Sequence, residues 1–276
     1  MSTPTKKHPV YQNNPFTIAT DGLSLLFKLA QPIAILAIVL SVLNMFGGFS
    51  GNFDADYSQK NSSDPIAEIN HQFSSIPMEA WIIIGLIGGV LLLGFIIIGT
   101  FVSGMIDYTA AQLANNKKVT FSEAFTAVAK RFFGYLWLQI WVGIKIFLWS
   151  LLLIVPGIIM AVRYSLAGPA FFRHNLSADA AIEHSSTITK GAWLTTFASF
   201  GLFNIITFGL IEYLLKPGTS GLLLRQYDAY NDVKMQKPAA HGLSWMTLAI
   251  SIGLVVLAVS FIVLMVILFF IFKDYK

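Results

Sequence analysis

The chain reads WIIIGLIGGVLLLGFIIIG from Trp81 to Gly99, a run without one charged side chain. About 20 apolar residues in a helix cross the roughly 30 Å hydrocarbon core of a bilayer, and runs of this kind recur along the chain. Apolar stretches near 23–46, 80–106, 133–155, 158–172, 193–215 and 243–272 leave no room for a sizeable soluble domain between them. Composition agrees: 55% of the residues are hydrophobic and 12% charged, where a soluble domain carries about 25% charged residues. The sequence therefore predicts an all-α, polytopic integral membrane helical bundle with about six membrane-embedded segments. A polar N-terminal segment, 1–22, precedes a single transmembrane domain, 23–276. The first apolar stretch is too long, and lacks a convincing small-residue cleavage site, for a removable signal peptide.

Charge asymmetry orients the segments. The insert 47–79 carries Asp54, Asp56, Asp64, Glu68 and Glu79 against Lys60 alone, so the positive-inside rule puts it outside. The next polar stretch holds Lys117, Lys118, Lys130 and Arg131 against Asp107 and Glu123, which makes it and the N-terminus cytoplasmic. Within it, Thr120 and Glu123 form a capping box ahead of Phe121, Ala124, Phe125, Val128 and Phe132 at helical spacing, predicting a surface helix. A second is predicted after His174, with Ser177 as cap, Asp179 in the first turn, Lys190 in the last and Gly191 as stop. The region 194–227 has two solutions. It crosses once and leaves Arg225, Lys234 and Lys237 outside, or it folds back at Lys216-Pro217-Gly218 and keeps them inside, with the C-terminus outside.

Two local features bear on packing. Gly85 and Gly89 have the small-xxx-small spacing that lets helices approach closely. Pro156-Gly157 interrupts LLLIVPGIIMAVRY and predicts a short outward turn, because proline removes a donor and glycine permits a sharp reversal.

The charged residues inside apolar runs are the candidate functional residues. Arg163, Lys145 and Glu212 each need protein, water or headgroups around them, since a charge at mid-bilayer costs at least about 2.5 kcal/mol. Arg163 can snorkel to an interface, pair with a carboxylate such as Glu212, or take an anionic headgroup or substrate. Convergence of the three on one cavity would indicate a transporter. Nothing points to catalysis. The five histidines have no metal-ligand spacing, no phosphate-binding or nucleophile-elbow motif is present, and the absence of cysteine excludes thiolate chemistry. Neither a cofactor nor a metal is expected. The pI near 9.2 comes from basic residues scattered at segment edges, so no nucleic-acid partner is expected.

The entry KRFF at Lys130–Phe133, the core LLLIVPGIIMAVRYSLAGPAFF, the later AIEHSSTITKGAW and the polar tail RQYDAYND carry a resemblance. This stretch, about 107–230, resembles the bacterial YciC-like and DUF975-type integral membrane proteins and the membrane domain of some glycerophosphoryl diester phosphodiesterases. The resemblance implies an inner-membrane helical protein and puts 225–231 on the cytoplasmic side. The expected role is non-enzymatic: membrane-organising, lipid-interacting or complex-forming, with membrane lipids and a protein partner or homo-oligomer as companions. The alternatives are a transporter or channel for a small or anionic solute, and an accessory subunit docked through the external insert.

Overall fold

The computed structural model describes residues 11–49, 77–207, 209 and 211–273. Most of the acidic insert lies outside the described residues. Among those described every element is a helix, in the order α1 Pro15–Leu29, α2 Gln31–Phe49, α3 Met78–Ala114, α4 Phe121–Lys130, α5 Phe132–Leu152, α6 Ile154–Tyr164, α7 Ala167–Arg173, α8 Ala178–Ile188, α9 Trp193–Thr207, α10 Glu212–Asp232 and α11 Gly242–Lys273. Four stretches are long and apolar enough to cross a membrane: α3, α5, the joined α6 and α7, and α11. Apolar helices in 31–42 and 193–207 are shorter.

The helices divide into a packed core and projecting arms. Helix α10 lies against α3 and α1, and α7, α8 and α9 complete the core. In α3 the packed part starts only at Thr100; almost every residue from Met78 to Gly99 is exposed, a length of about 33 Å. Helix α11 is likewise apolar and exposed around its circumference from Ile252 to Ile271.

The core is built from small residues and hydroxyls more than from large aliphatics. Thr109, Ser185, Thr189, Thr196, Ser199 and Thr219 are fully buried beside Ala19, Ala34, Ala110, Ala181 and Ala198. Most of these hydroxyls donate to the carbonyl one turn back, as Thr109 does to Met105 at 2.7 Å and Ser199 to Thr195 at 2.8 Å. Those hydroxyls are thereby satisfied within their own helix, and small side chains let backbones approach.

The closest approach is a crossing of α1 and α10 at two glycines. A methyl group on Gly218 would run into the backbone of Gly22, and one on Gly22 would meet the backbone of Gly218 and Thr219. The sequence expectation for Gly85 and Gly89 needs correction. Both look into open space on the exposed part of α3 and, among the described residues, pack against no other element.

Breaks in the helices also differ from expectation. The apolar run 23–46 is two helices, separated at Ala30, whose backbone (φ −140°, ψ 47°) leaves the helical region. Pro32 has no N–H to return to the preceding turn, and the Val119 N–H takes the Leu29 carbonyl instead at 2.9 Å. Pro156 and Gly157 do not form the turn between α5 and α6. The extended residue is Leu153 (φ −162°, ψ 143°), and Pro156 lies in the first turn of α6, where a missing N–H costs nothing. Gly157 is the contact point of the hairpin, since a side chain there would strike Ser150. The chain also does not reverse at Lys216-Pro217-Gly218, which lie inside α10. The chain turns back between α9 and α10, so that Asn204 and Glu212 line one cleft and the two helices form a hairpin.

Local helix signals match. Thr120 and Glu123 make both capping-box bonds, the Ser177 hydroxyl accepts from Ala180 N–H, and Gly191 adopts φ +78° where α8 has ended. The polar segments gather at one end of the molecule: Arg225 donates to Asn116 at 3.0 Å, Lys237 to the Lys190 carbonyl at 3.0 Å and Asn13 to the Ala239 carbonyl at 2.9 Å.

Candidate functional site

Arg163, Lys145 and Glu212 do not converge. Arg163 ends α6, half-buried, and its Nη2 donates to the Ser186 carbonyl of α8 at 2.9 Å. The Ser185 and Thr189 hydroxyls in turn donate to the Arg163 carbonyl at 2.7 and 3.3 Å. Its partner is therefore a backbone carbonyl rather than Glu212 or another carboxylate. Lys145 lies 3.9 Å from Asp179 and over the Trp141 ring at 5.5 Å. Both partners of that pair are partly exposed, and such pairs contribute at most about 1 kcal/mol. Glu212 is exposed in the first turn of α10, where the helix dipole favours a negative charge.

Glu212 does line a cleft of about 320 Å³ between α6, α9 and α10, with Phe197, Phe200, Asn204 and Lys216. A second cleft of about 200 Å³ shares Ala161, Ser165 and Lys216 with it and reaches Asp107 and Gln139. A polar network that sequence reading missed lines the second cleft and reaches the first through Lys216. Asp107 of α3 is buried, accepts a 2.6 Å hydrogen bond from the Tyr135 hydroxyl and sits 3.5 Å from Lys216 Nζ. Gln139 donates to the same tyrosine oxygen at 2.6 Å. Helix α7 closes over this network through Gly168, where a side chain would overlap the Asp107 carboxylate.

The second polar constellation lies where α7, α8 and α10 meet. His174 Nε2 is 2.9 Å from Asp228 Oδ2, His184 Nε2 is 2.8 Å from Oδ1, and Arg173 Nη1 is 2.9 Å from Oδ2. An ionised carboxylate only accepts, so each imidazole presents an N–H to it. Burial pushes the Asp228 carboxyl up, but the hydrogen bond to His184, the Arg173 charge and His174 pull further the other way, leaving it below the usual carboxylate value. The two rings lie 4.7 Å apart at 59°. Asp228 is buried, with 7% of its side chain exposed, while His184 and His174 retain 26% and 34%. The charged base is thus inside and the imidazoles form the rim.

Each member is held by its element. His174 caps α7, whose neighbouring loop is clamped by Arg131: Nη1 donates to the Phe171 carbonyl at 2.9 Å and Nη2 to that of Leu176 at 2.6 Å, with the guanidinium 3.8 Å over the Phe171 ring. Asp228 follows Tyr227, a fully buried ring whose hydroxyl meets Thr196 at 2.9 Å. The separations of the three residues along the chain carry no spacing signal. His174 and Asp228 each follow closely on an apolar run (AGPAFF and GLLL), whereas His184 lies within the polar helix α8. No family model, no curated protein and no solved structure matches the chain.

Proposed function

We propose that the chain is a non-enzymatic multi-pass protein of the bacterial cytoplasmic membrane that works on lipid, as a membrane-organising, lipid-interacting or complex-forming component. The observation that carries this reading is the exposed apolar surface of α3 and α11, each apolar around its whole circumference for about a bilayer thickness. Such surface is stable only against lipid or another apolar helix. Six embedded segments follow: α1 with α2, α3, α5, α6 with α7, the α9–α10 hairpin, and α11. Helices α4 and α8 are then the two cytoplasmic surface helices. Supporting that orientation, Lys117, Lys118, Lys190, Arg225 and Lys237 belong to segments tied together at one end. The N-terminus is cytoplasmic and, because α9 and α10 double back, the C-terminus is external. The resemblance to the YciC-like family agrees with this arrangement.

The cleft beside Lys216 is the place where lipid would be held, with Phe197 and Phe200 as its apolar wall and Lys216, Glu212 and Asn204 as its polar end. Native mass spectrometry of protein extracted in native nanodiscs and passed through mild detergent tests the reading. Retained phospholipid that is lost in Lys216→Gln supports it. Protein that carries no lipid, or whose lipid is indifferent to Lys216→Gln, counts against it.

A second reading, a transporter or channel, has one specific observation behind it: buried Asp107 pairs with half-exposed Lys216, which lines both clefts. Membrane-embedded carboxylates are typical of proton-coupled transport. Proteoliposomes that dissipate an imposed pH gradient, and stop doing so with Asp107→Asn, would favour it over the lipid reading. The accessory-subunit reading rests on the insert 47–79 and would be tested by loss of a co-purifying partner on deleting 52–79.

A further inference from the structure

We propose that His174, His184 and Asp228 hold a divalent first-row transition-metal ion, with Zn²⁺ as the type ion. Two neutral imidazoles and a carboxylate are a donor set that Zn²⁺ and other ions of this series accept. The three donor groups lie within 4.8 Å of one another, and each imidazole Nε2 faces a different oxygen of one carboxylate. Ligand bonds to Zn²⁺ are about 2.0–2.2 Å, so tetrahedral donors stand about 3.3 Å apart. The observed N···O separations of 2.8 and 2.9 Å are about 0.4–0.5 Å shorter than that, and all three donors lie within 4.8 Å.

The second coordination requirement is support of the ligands. Asp228 is fixed by burial beside Tyr227, and the His174 loop by the double hydrogen bond from Arg131. The third is access, which the half-exposed rings provide on the rim side. Without metal the imidazole N–H groups close on the carboxylate. With metal the same Nε2 atoms coordinate, and the ring proton resides on Nδ1 or leaves to solvent.

Arg173 opposes a cation here. Its Nη1 nevertheless makes no directed hydrogen bond despite its 2.9 Å approach to Asp228, and beyond Asp228 it feels the Arg225 charge and, more weakly, the Asp232 carboxylate. An anionic fourth ligand would offset the remaining positive charge.

The test is a titration of the full-length protein, free of any affinity-tag histidines and stripped with chelator, using Co²⁺ for its visible ligand-field bands and Zn²⁺ in competition. The expected result is one saturable site whose Co²⁺ bands are displaced by Zn²⁺, weakened at least about tenfold in His184→Gln and in Asp228→Asn and unchanged in His241→Gln. Should Asp228→Asn fail to fold, His174→Gln decides, since that more exposed position tolerates an amide that keeps a hydrogen bond. No saturable binding, or binding that His174→Gln and His184→Gln leave intact, overturns the proposal and makes the cluster a closed hydrogen-bond network.

Discussion

Gly168 leaves room for Asp107, because the carboxylate occupies the space where any other residue would place a Cβ. Gly168→Ala forces either α7 outward or the Asp107–Tyr135 hydrogen bond apart, and overpacking of this kind costs about 1–3 kcal/mol. Thermal unfolding in detergent should show the loss, while Gly85→Ala, made into open space, should leave the midpoint where it is. A second residue-scale outcome concerns alkaline pH. Tyr11 packs against Tyr227 and edge-on to Tyr230 at 4.8 Å, and burial, with a smaller contribution from Tyr230, pushes its hydroxyl up to about 12. An unfolded tyrosine ionises near 10. Below that pH both states hold the proton and the contribution to stability is complete; between about 10 and 12 the unfolded chain releases it and the folded one does not, so stability falls as pH rises. Unfolding midpoints measured across this range should decline less steeply in Tyr11→Phe than in the parent, with Tyr227, also raised by burial, accounting for part of the slope that remains.

The α1–α10 crossing sets what single elements can tolerate. Gly218→Ala places a methyl against the backbone of Gly22, and backbone cannot rotate away as a side chain does. A loss of at least about 3 kcal/mol is expected, read as a lower unfolding midpoint. Signals acting within four residues were legible in the sequence for this reason of range: the Thr120–Glu123 box, the Ser177 cap and Gly191 depend on little beyond their own turn. Break points were not. Proline fixes only one dihedral and one missing donor, and where the chain then gives way depends on a distant partner, as Val119 is for Leu29. Of the candidate sites, the need of Arg163 for a partner was readable, but the partner is a backbone carbonyl and so has no sequence identity. The Asp107 and Asp228 networks were invisible because their members come from helices that tertiary packing alone brings together.

For the whole molecule, the absence of cysteine makes single-cysteine labelling a direct test of orientation. Positions 118, 190 and 237 should share one accessibility to an impermeant maleimide in sealed vesicles, and position 79 the opposite one. Leu153→Cys, at the tip of the α5–α6 hairpin, should resist the reagent from both sides. Labelling of 118 and 237 from opposite sides would rule out the doubled-back α9–α10 arrangement. The reach of that hairpin has a further mechanical consequence. Helix α8 touches α5 at Lys145 and α6 at Arg163, so with α8 at the membrane surface the free part of the hairpin rises only about 12 Å from Lys145 to Leu153. A bilayer core is roughly 30 Å thick. In that placement the hairpin would add cross-section to one leaflet and none to the other, the geometry of a wedge that favours curved membrane over flat.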